Sequence, residues 1–409
     1  MHRLIKCLII GVILTALALP ACMGDDEVKI GTILPLTGDL SVYGPSMQQG
    51  VELAAKQINA EGGVLGKEIV LINQDSGTDP ATGNDAMNLL VDVEEVMAVV
   101  GAAGSPVSKA IIDIAKDYKV VQISPSNTGT EFTTYDDDDF YYRTCPSDYL
   151  QGQAMAVLAQ SKGYTTAVTL TVNNDYGIGF EEIFVDAFTD LGLTVNKQIH
   201  FEASATTFDS EVGQAEDANA DVIVLICYPE QGAEILKKAY QTGALESSDW
   251  LLSEGLRSEE LAELVGKDTE GNYIAAGLKG TTPDSRVAGD AYTAFVSAYQ
   301  DEYGEKPGIF VENSYDAMVL LALAIEKAGE ASGEAIKDAI RDIANAPGQE
   351  VSDVAEALDL LKDGKDINYQ GASGELTIDI NGDVSGSYCV WAIAASGDIT
   401  LGDAIDFGE

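Results

Sequence analysis

Basic residues are scarce in this chain: 23 Lys and Arg stand against 67 Asp and Glu, a formal net charge of −44. Such a surface repels phosphate, which excludes nucleic acid as a partner. A strongly anionic solute would need a dedicated basic pocket, and the scattered Lys and Arg mark none. Histidine is scarcer still, with two residues, His2 and His200. A histidine-rich metal site is therefore excluded, and Ser-His-Asp catalysis would rest on His200 alone, in a β-rich run beside Phe201. No Gly-x-Ser-x-Gly elbow, Walker loop or Gly-x-Gly-x-x-Gly fingerprint occurs, and Tyr176-Gly177-Ile178-Gly179 is only a fragment of the last. Asp136 to Asp139 lacks the ligand spacing and glycine of a calcium loop and reads as solvated surface. These absences lead away from an enzyme and toward a binder, with no cofactor and no metal expected.

Long apolar runs are missing beyond the start of the chain. Ala317 to Ile325, bounded by Asp316 and Glu326, falls short of the roughly 20 residues a membrane span needs and reads as a core helix. At the start, Arg3 and Lys6 precede an apolar run from Leu8 to Leu19, closed by Pro20-Ala21-Cys22. That is the order of a secretory signal, over residues 1–21. Cys22, with Leu19 three places before it, resembles the lipidated cysteine of a bacterial-type lipobox. Removing Arg3 and Lys6 with the leader takes the net charge from −44 to −46. Of the five cysteines, Cys7 is lost with the leader, and Cys145, Cys227 and Cys389 follow Cys22 at spacings that fit no zinc motif. Outside the cytoplasm two of those three could pair.

The remaining length exceeds what one core usually serves, so two lobes are expected. β-rich runs alternate with amphipathic ones, the signal for βαβ units and parallel sheets. Val28 to Leu34, Ile69 to Ile72, Val96 to Val100 and Val120 to Ile123 read as strands separated by helices. The pattern restarts after Cys145 with strands at Ala167 to Val172, Thr194 to Ile199, Val222 to Ile226 and Trp250 to Leu252. Helices are expected over Arg286 to Tyr303 and Ser314 to Ala328. Gly329 to Asp366 reads as a solvated helical cover. Asn381-Gly382 predicts a hairpin between Leu376–Ile380 and Tyr388–Ile393.

In open α/β sheets ligands bind where strands end and helices begin. The first half offers Gly101-Ala102-Ala103-Gly104-Ser105-Pro106, with Ser105 as N-cap, and Ser124-Pro125-Ser126-Asn127-Thr128. Hydroxyls and free backbone N–H groups at such positions suit a carboxylate. The second half offers Asn173 to Gly177, then Cys227-Tyr228-Pro229-Glu230, then Ser253-Glu254-Gly255. Two tyrosines and a carboxylate there suit a small cationic or zwitterionic ligand.

Lys29 to Gly44 (KIGTILPLTGDLSVYG) and the following QQGVELAAKQINAEGGVLGK resemble the opening of the leucine/isoleucine/valine-binding protein family, the type I periplasmic solute-binding proteins of ABC importers. VVGAAGSPVSKA, ISPSNTGTEFT, RTCPSDYLQGQA, NNDYGIGF and SYDAMVLLALAIEKAG are similar to family segments in the same order. The resemblance implies two doubly wound α/β lobes with parallel sheets, joined by three crossovers. Lobe 1 would take 28–144 and 280–387, and lobe 2 would take 145–279 and 388–409.

It further implies a ligand site between the lobes. Ser105 and Thr128 match hydroxyls that hold an α-carboxylate, the backbone of Ser126 matches a contact to the α-ammonium, and Glu254 matches the acid paired with that ammonium. Tyr43, Tyr176 and Tyr228 match aromatic contacts from both lobes, and Phe310 the side-chain end. Small Ala103 and Gly104 imply room for a side chain larger than leucine. Cys145 and Cys389 map near crossovers, which implies a hinge disulfide. The expected function is that of an extracytoplasmic subunit of an ABC importer, anchored to the cell membrane by lipid alone. It would close over a hydrophobic amino acid, with permease and ATPase subunits as partners. A ligand-sensing receptor subunit, or a binder of an amide or aromatic acid, are the alternatives.

Overall fold

The computed structural model describes residues 27–406; the leader and Cys22 lie outside them. Among the described residues fourteen strands follow one another. The first five are β1 (Glu27–Leu34), β2 (Glu68–Asp75), β3 (Ala98–Gly101), β4 (Val121–Ser124) and β5 (Tyr141–Arg143). Then come β6 (Thr166–Val172), β7 (Thr194–Phe201), β8 (Val222–Ile226), β9 (Asp249–Leu252) and β10 (Lys279–Pro283). The last four are β11 (Gln349–Val351), β12 (Ile367–Tyr369), β13 (Tyr388–Ile393) and β14 (Ile399–Ala404).

They form two main sheets. The first has the order β2-β1-β3-β4-β5 and is parallel throughout. The second has the order β14-β13-β10-β9-β8-β6-β7, parallel except where β13 pairs antiparallel with β10 and β14. Helices α1 (Gly44–Ala60), α2 (Pro80–Asp92) and α3 (Ser105–Tyr118) cross over in the first lobe. In the second, α4 (Asp148–Ser161) leads into the sheet and α5 (Asp175–Asp190), α6 (Asp209–Asp217) and α7 (Pro229–Thr242) cross over. Apolar strands such as β8, buried at every position, are what a sheet covered on both faces requires. Each sheet has its own apolar core: Ile30, Val100, Ile123 and Leu320 belong to one, Val168, Leu225, Phe184 and Trp391 to the other.

The chain passes between the sheets three times, after β5, after β10 and before β13. Because Lys279–Pro283 pairs with Asp249–Leu252 and with β13, it belongs to the second sheet. The second crossover therefore falls just after Pro283 and not at Gly280. The expected C-terminal hairpin is also corrected. Leu376–Ile380 forms only an isolated bridge, Ile378 to Val384, and β13 finds its hairpin partner in β14 across Ala394 to Asp398. Residues 329–366 are more than a solvated cover. The helices Gly333–Ala344 and Val354–Lys362 bury Ile336, Ile340, Ile343, Leu358 and Leu361, and a small parallel pair, β11 with β12, lies among them. Their acidic positions hid this inward face.

Candidate functional site

Two loops at the carboxyl ends of β3 and β4 build the floor of the cleft in the first lobe. They are stitched to one another. Ser124 Oγ donates to the carbonyl of Ala102 at 2.6 Å, Ser126 Oγ to that of Ala103 at 3.1 Å, and the N–H of Asn127 to Ser124 Oγ at 2.9 Å. The cap of α3 is Gly104, not Ser105 as the sequence suggested; Pro106 in the first turn needs no N–H partner there. That shift frees the Ser105 hydroxyl from capping, and it donates to Asn127 Oδ1 at 2.5 Å. Buried Asn127 in turn gives its amide to the Tyr141 hydroxyl at 2.5 Å.

The second lobe supplies the facing wall. Asn174 caps α5 by accepting from the N–H of Gly177, which places Tyr176 in the first helical turn. Tyr228, just ahead of α7, stacks on Tyr176 with ring centroids 5.5 Å apart and an interplanar angle of 15°. A 3-10 turn at Glu254–Leu256 follows β9 and turns the Glu254 carboxylate inward. The turn needs Gly255, where a Cβ would lie 2.7 Å from the carbonyl of Cys227 and 2.8 Å from the Tyr176 hydroxyl.

Glu254 is buried, and its Oε2 accepts from Gln151 Nε2 at 2.7 Å. Burial raises its pKa to about 7, against the pull of the nearby Tyr176 hydroxyl, of its own turn and of the hydrogen bond from Gln151. Asp148, fully buried at the start of α4, is pushed well above the usual carboxylate range by burial and then by the charge of Glu254, with the Thr128 hydroxyl and Arg143 acting the other way. Neither acid is in an ion pair among the described residues. Two interacting carboxylates out of water without an ion-pair partner constitute a site that stabilises positive charge.

The structure brings all eight residues singled out from the sequence to one cavity: Tyr43, Ser105, Ser126, Thr128, Tyr176, Tyr228, Glu254 and Phe310. It holds about 450 Å³ of space, part of it open to solvent. Its lining joins these polar groups to apolar Pro35, Leu40, Met47, Ile309 and Phe310. Small Gly104 does not enlarge it, because Leu40 fills the gap: a Cβ on Gly104 would sit 3.3 Å from Leu40 Cδ1. The lobes are closed on one another. The Tyr43 hydroxyl donates to the carbonyl of Gly255 at 3.0 Å, Gln231 Nε2 to Asp39 at 2.7 Å, and Lys109 pairs with Asp175 at 2.7 Å.

Sequence reading missed Leu40, Met47, Asn127, Asp148 and Gln151. Asp148 stood in the quoted segment RTCPSDYLQGQA, but Gln151 meets Glu254 across 103 positions, a pairing that only the fold creates. The hinge disulfide is not formed. Cys145, Cys227 and Cys389 are buried free thiols. Cys145 Sγ donates to the carbonyl of Asn127 at 3.3 Å, beneath the ligand loop, whereas Cys389 sits in β13 opposite Thr282 and near Arg286.

Two α/β lobes closed over a cavity with an acid on one side and hydroxyls on the other define a two-lobed solute-binding protein. The chain belongs to the periplasmic binding protein family, whose sequence model matches residues 27–353. A solved leucine-binding protein, LivK of Thermotoga maritima, is 30% identical, with 93% of this chain and 99% of that one covered and a TM-score of 0.79. The leucine-, isoleucine-, valine-, threonine- and alanine-binding protein of Pseudomonas aeruginosa is 28% identical over 76% of this chain and 80% of its own. The chemotactic signal transduction system substrate-binding protein BasB of Halobacterium salinarum is 25% identical over 86% and 83%. These relatives are solute-binding proteins, not enzymes.

Proposed function

We propose that the chain is the extracytoplasmic binding subunit of an ABC importer and takes a hydrophobic, zwitterionic amino acid of the branched-chain type. The observation that carries this reading is the buried Glu254, an acid without an ion-pair partner among the described residues, in the same cavity as the hydroxyls of Ser105, Ser126 and Thr128, with a second buried acid, Asp148, against Thr128. A carboxylic acid without an amine would add a negative charge beside Glu254 and offer it no counter-charge. An α-amino acid brings an ammonium for the acids and a carboxylate for the hydroxyls and helix N-terminus. The apolar part of the lining, Leu40 included, suits an aliphatic side chain.

The ligand first meets the loops of the first lobe through Ser105 and Thr128. Closure then brings Tyr176, Tyr228 and Glu254 onto it, so ligand contacts made only in the closed state shift the hinge equilibrium. Lipid on Cys22 would hold the receptor beside a permease and its ATPase. Thermal-shift screening against all amino acids and simple carboxylates tests the ligand class. A protein bound in its native state raises the melting temperature as ligand concentration exceeds the dissociation constant. Leucine, isoleucine or valine is expected to give the largest shift, and a shift confined to benzoate-like acids would reject the reading.

The relationship to BasB favours a second role, ligand sensing, for the same pocket. Reconstitution with the cognate permease and ATPase separates the two. Stimulation of ATP hydrolysis by the liganded protein supports transport, and its absence with a measurable receptor response supports sensing.

A further inference from the structure

Arg143 is fully buried at the end of β5, yet it does not line the cavity. Its guanidinium is spent on fixed partners. Nε and Nη2 meet the two oxygens of Asp383 at 2.6 and 2.9 Å, and Nη2 also reaches Thr133 Oγ1 at 2.9 Å. Nη1 donates to two main-chain carbonyls, those of Asn127 at 3.2 Å and Gly129 at 2.8 Å. Both carbonyls belong to the loop that carries Ser126 and Thr128.

In a trans peptide the C=O and the following N–H point in opposite directions. Turning the Asn127 carbonyl onto the buried guanidinium therefore turns the N–H of Thr128 away from it, to the side on which Thr128 lines the cavity. We infer that Arg143 is the positioning residue of the carboxylate subsite: it grips two loop carbonyls from beneath and thereby aims the loop's donors at the ligand. Asp383, just before the third crossover, holds the fork in place and neutralises it. A lysine could supply the charge but not the planar fork that holds two carbonyls and a carboxylate together.

This assignment rests on the amino-acid reading of the site and is tested through the ligand's carboxylate. Calorimetry would compare leucine with leucinol, which keeps the ammonium and side chain but lacks the carboxylate, at fixed pH and ionic strength. Arg143→Lys is expected to weaken leucine at least tenfold and leucinol less than threefold. Equal weakening of both overturns the assignment, because it is what a merely structural role would produce. Asp383→Asn keeps the carbonyl grip and unmasks the charge beneath the loop, so the preference for leucine over leucinol is expected to rise at least threefold. If Arg143→Lys does not fold, this second variant decides, and an unchanged or reduced preference rejects the assignment. Wild-type protein that holds leucinol as tightly as leucine rejects the amino-acid reading and the assignment together.

Discussion

The two walls of the cleft are built differently. On the first lobe, hydroxyls, amides and main-chain groups satisfy one another across two loops, and the buried cation below them is neutralised by Asp383. On the second, two buried acids face each other's charge, and the Oε1 of Gln151, whose amide serves Glu254, finds no partner. The first wall is complete before anything binds. The second carries an electrostatic cost that an incoming positive charge would remove. On the proposed reading this difference is a division of labour, in which the first lobe would orient the ligand and the second would turn its presence into closure.

Removing Glu254 should break this asymmetry most severely. Truncating one partner of a buried charge pair costs about 2 kcal/mol or more, so Glu254→Ala is expected to lose at least tenfold in affinity for leucine by calorimetry. Unchanged binding would defeat the assigned role. The pKa of about 7 sharpens the same point through pH. An acid whose folded pKa lies above its ordinary value of 4.5 binds more protons in the native state, so stability of the free protein falls as pH rises between those values. The ligand's ammonium needs the ionised form, so affinity should fall as pH drops below 7. Melting temperatures with and without leucine should therefore diverge from pH 5 to pH 8 in the wild type and run parallel in Glu254→Gln.

Closure contacts should matter less. Tyr43→Phe removes the hydrogen bond to the Gly255 carbonyl, worth about 0.5–1.5 kcal/mol, and should show as a severalfold faster ligand release in stopped flow. Lys109 is half-exposed, though its pairs with Asp175 and Glu131 raise its pKa to about 12. Solvent screening leaves such pairs about 0–1 kcal/mol, so Lys109→Ala should weaken binding at most a few fold. Replacing Cys22 is expected to leave affinity unchanged and to release the protein from membranes on fractionation.

Much of this was legible beforehand. Strand and helix order followed from the alternation of β-rich and amphipathic segments, and Ser105, Ser126, Thr128, Tyr176, Tyr228 and Glu254 stand at strand ends, where parallel sheets place ligands. What was not legible depends on distance in the chain. Leu40 filling the space above Gly104, Gln151 meeting Glu254, and Arg143 meeting Asp383 across 240 positions leave no local pattern. Composition misled where the acids of residues 329–366 masked a buried apolar face, and a strong turn at Asn381-Gly382 was assigned to the wrong hairpin.

The central claim is that each wall holds one charge of a zwitterion. Calorimetry with leucine, with 4-methylpentanoate, which lacks only the amine, and with 3-methylbutylamine, which lacks the carboxylate, tests it most directly. The account predicts that both analogues bind at least thirtyfold more weakly than leucine and that 4-methylpentanoate alone regains affinity in Glu254→Gln. Equal binding of leucine and 4-methylpentanoate by the wild type would contradict it.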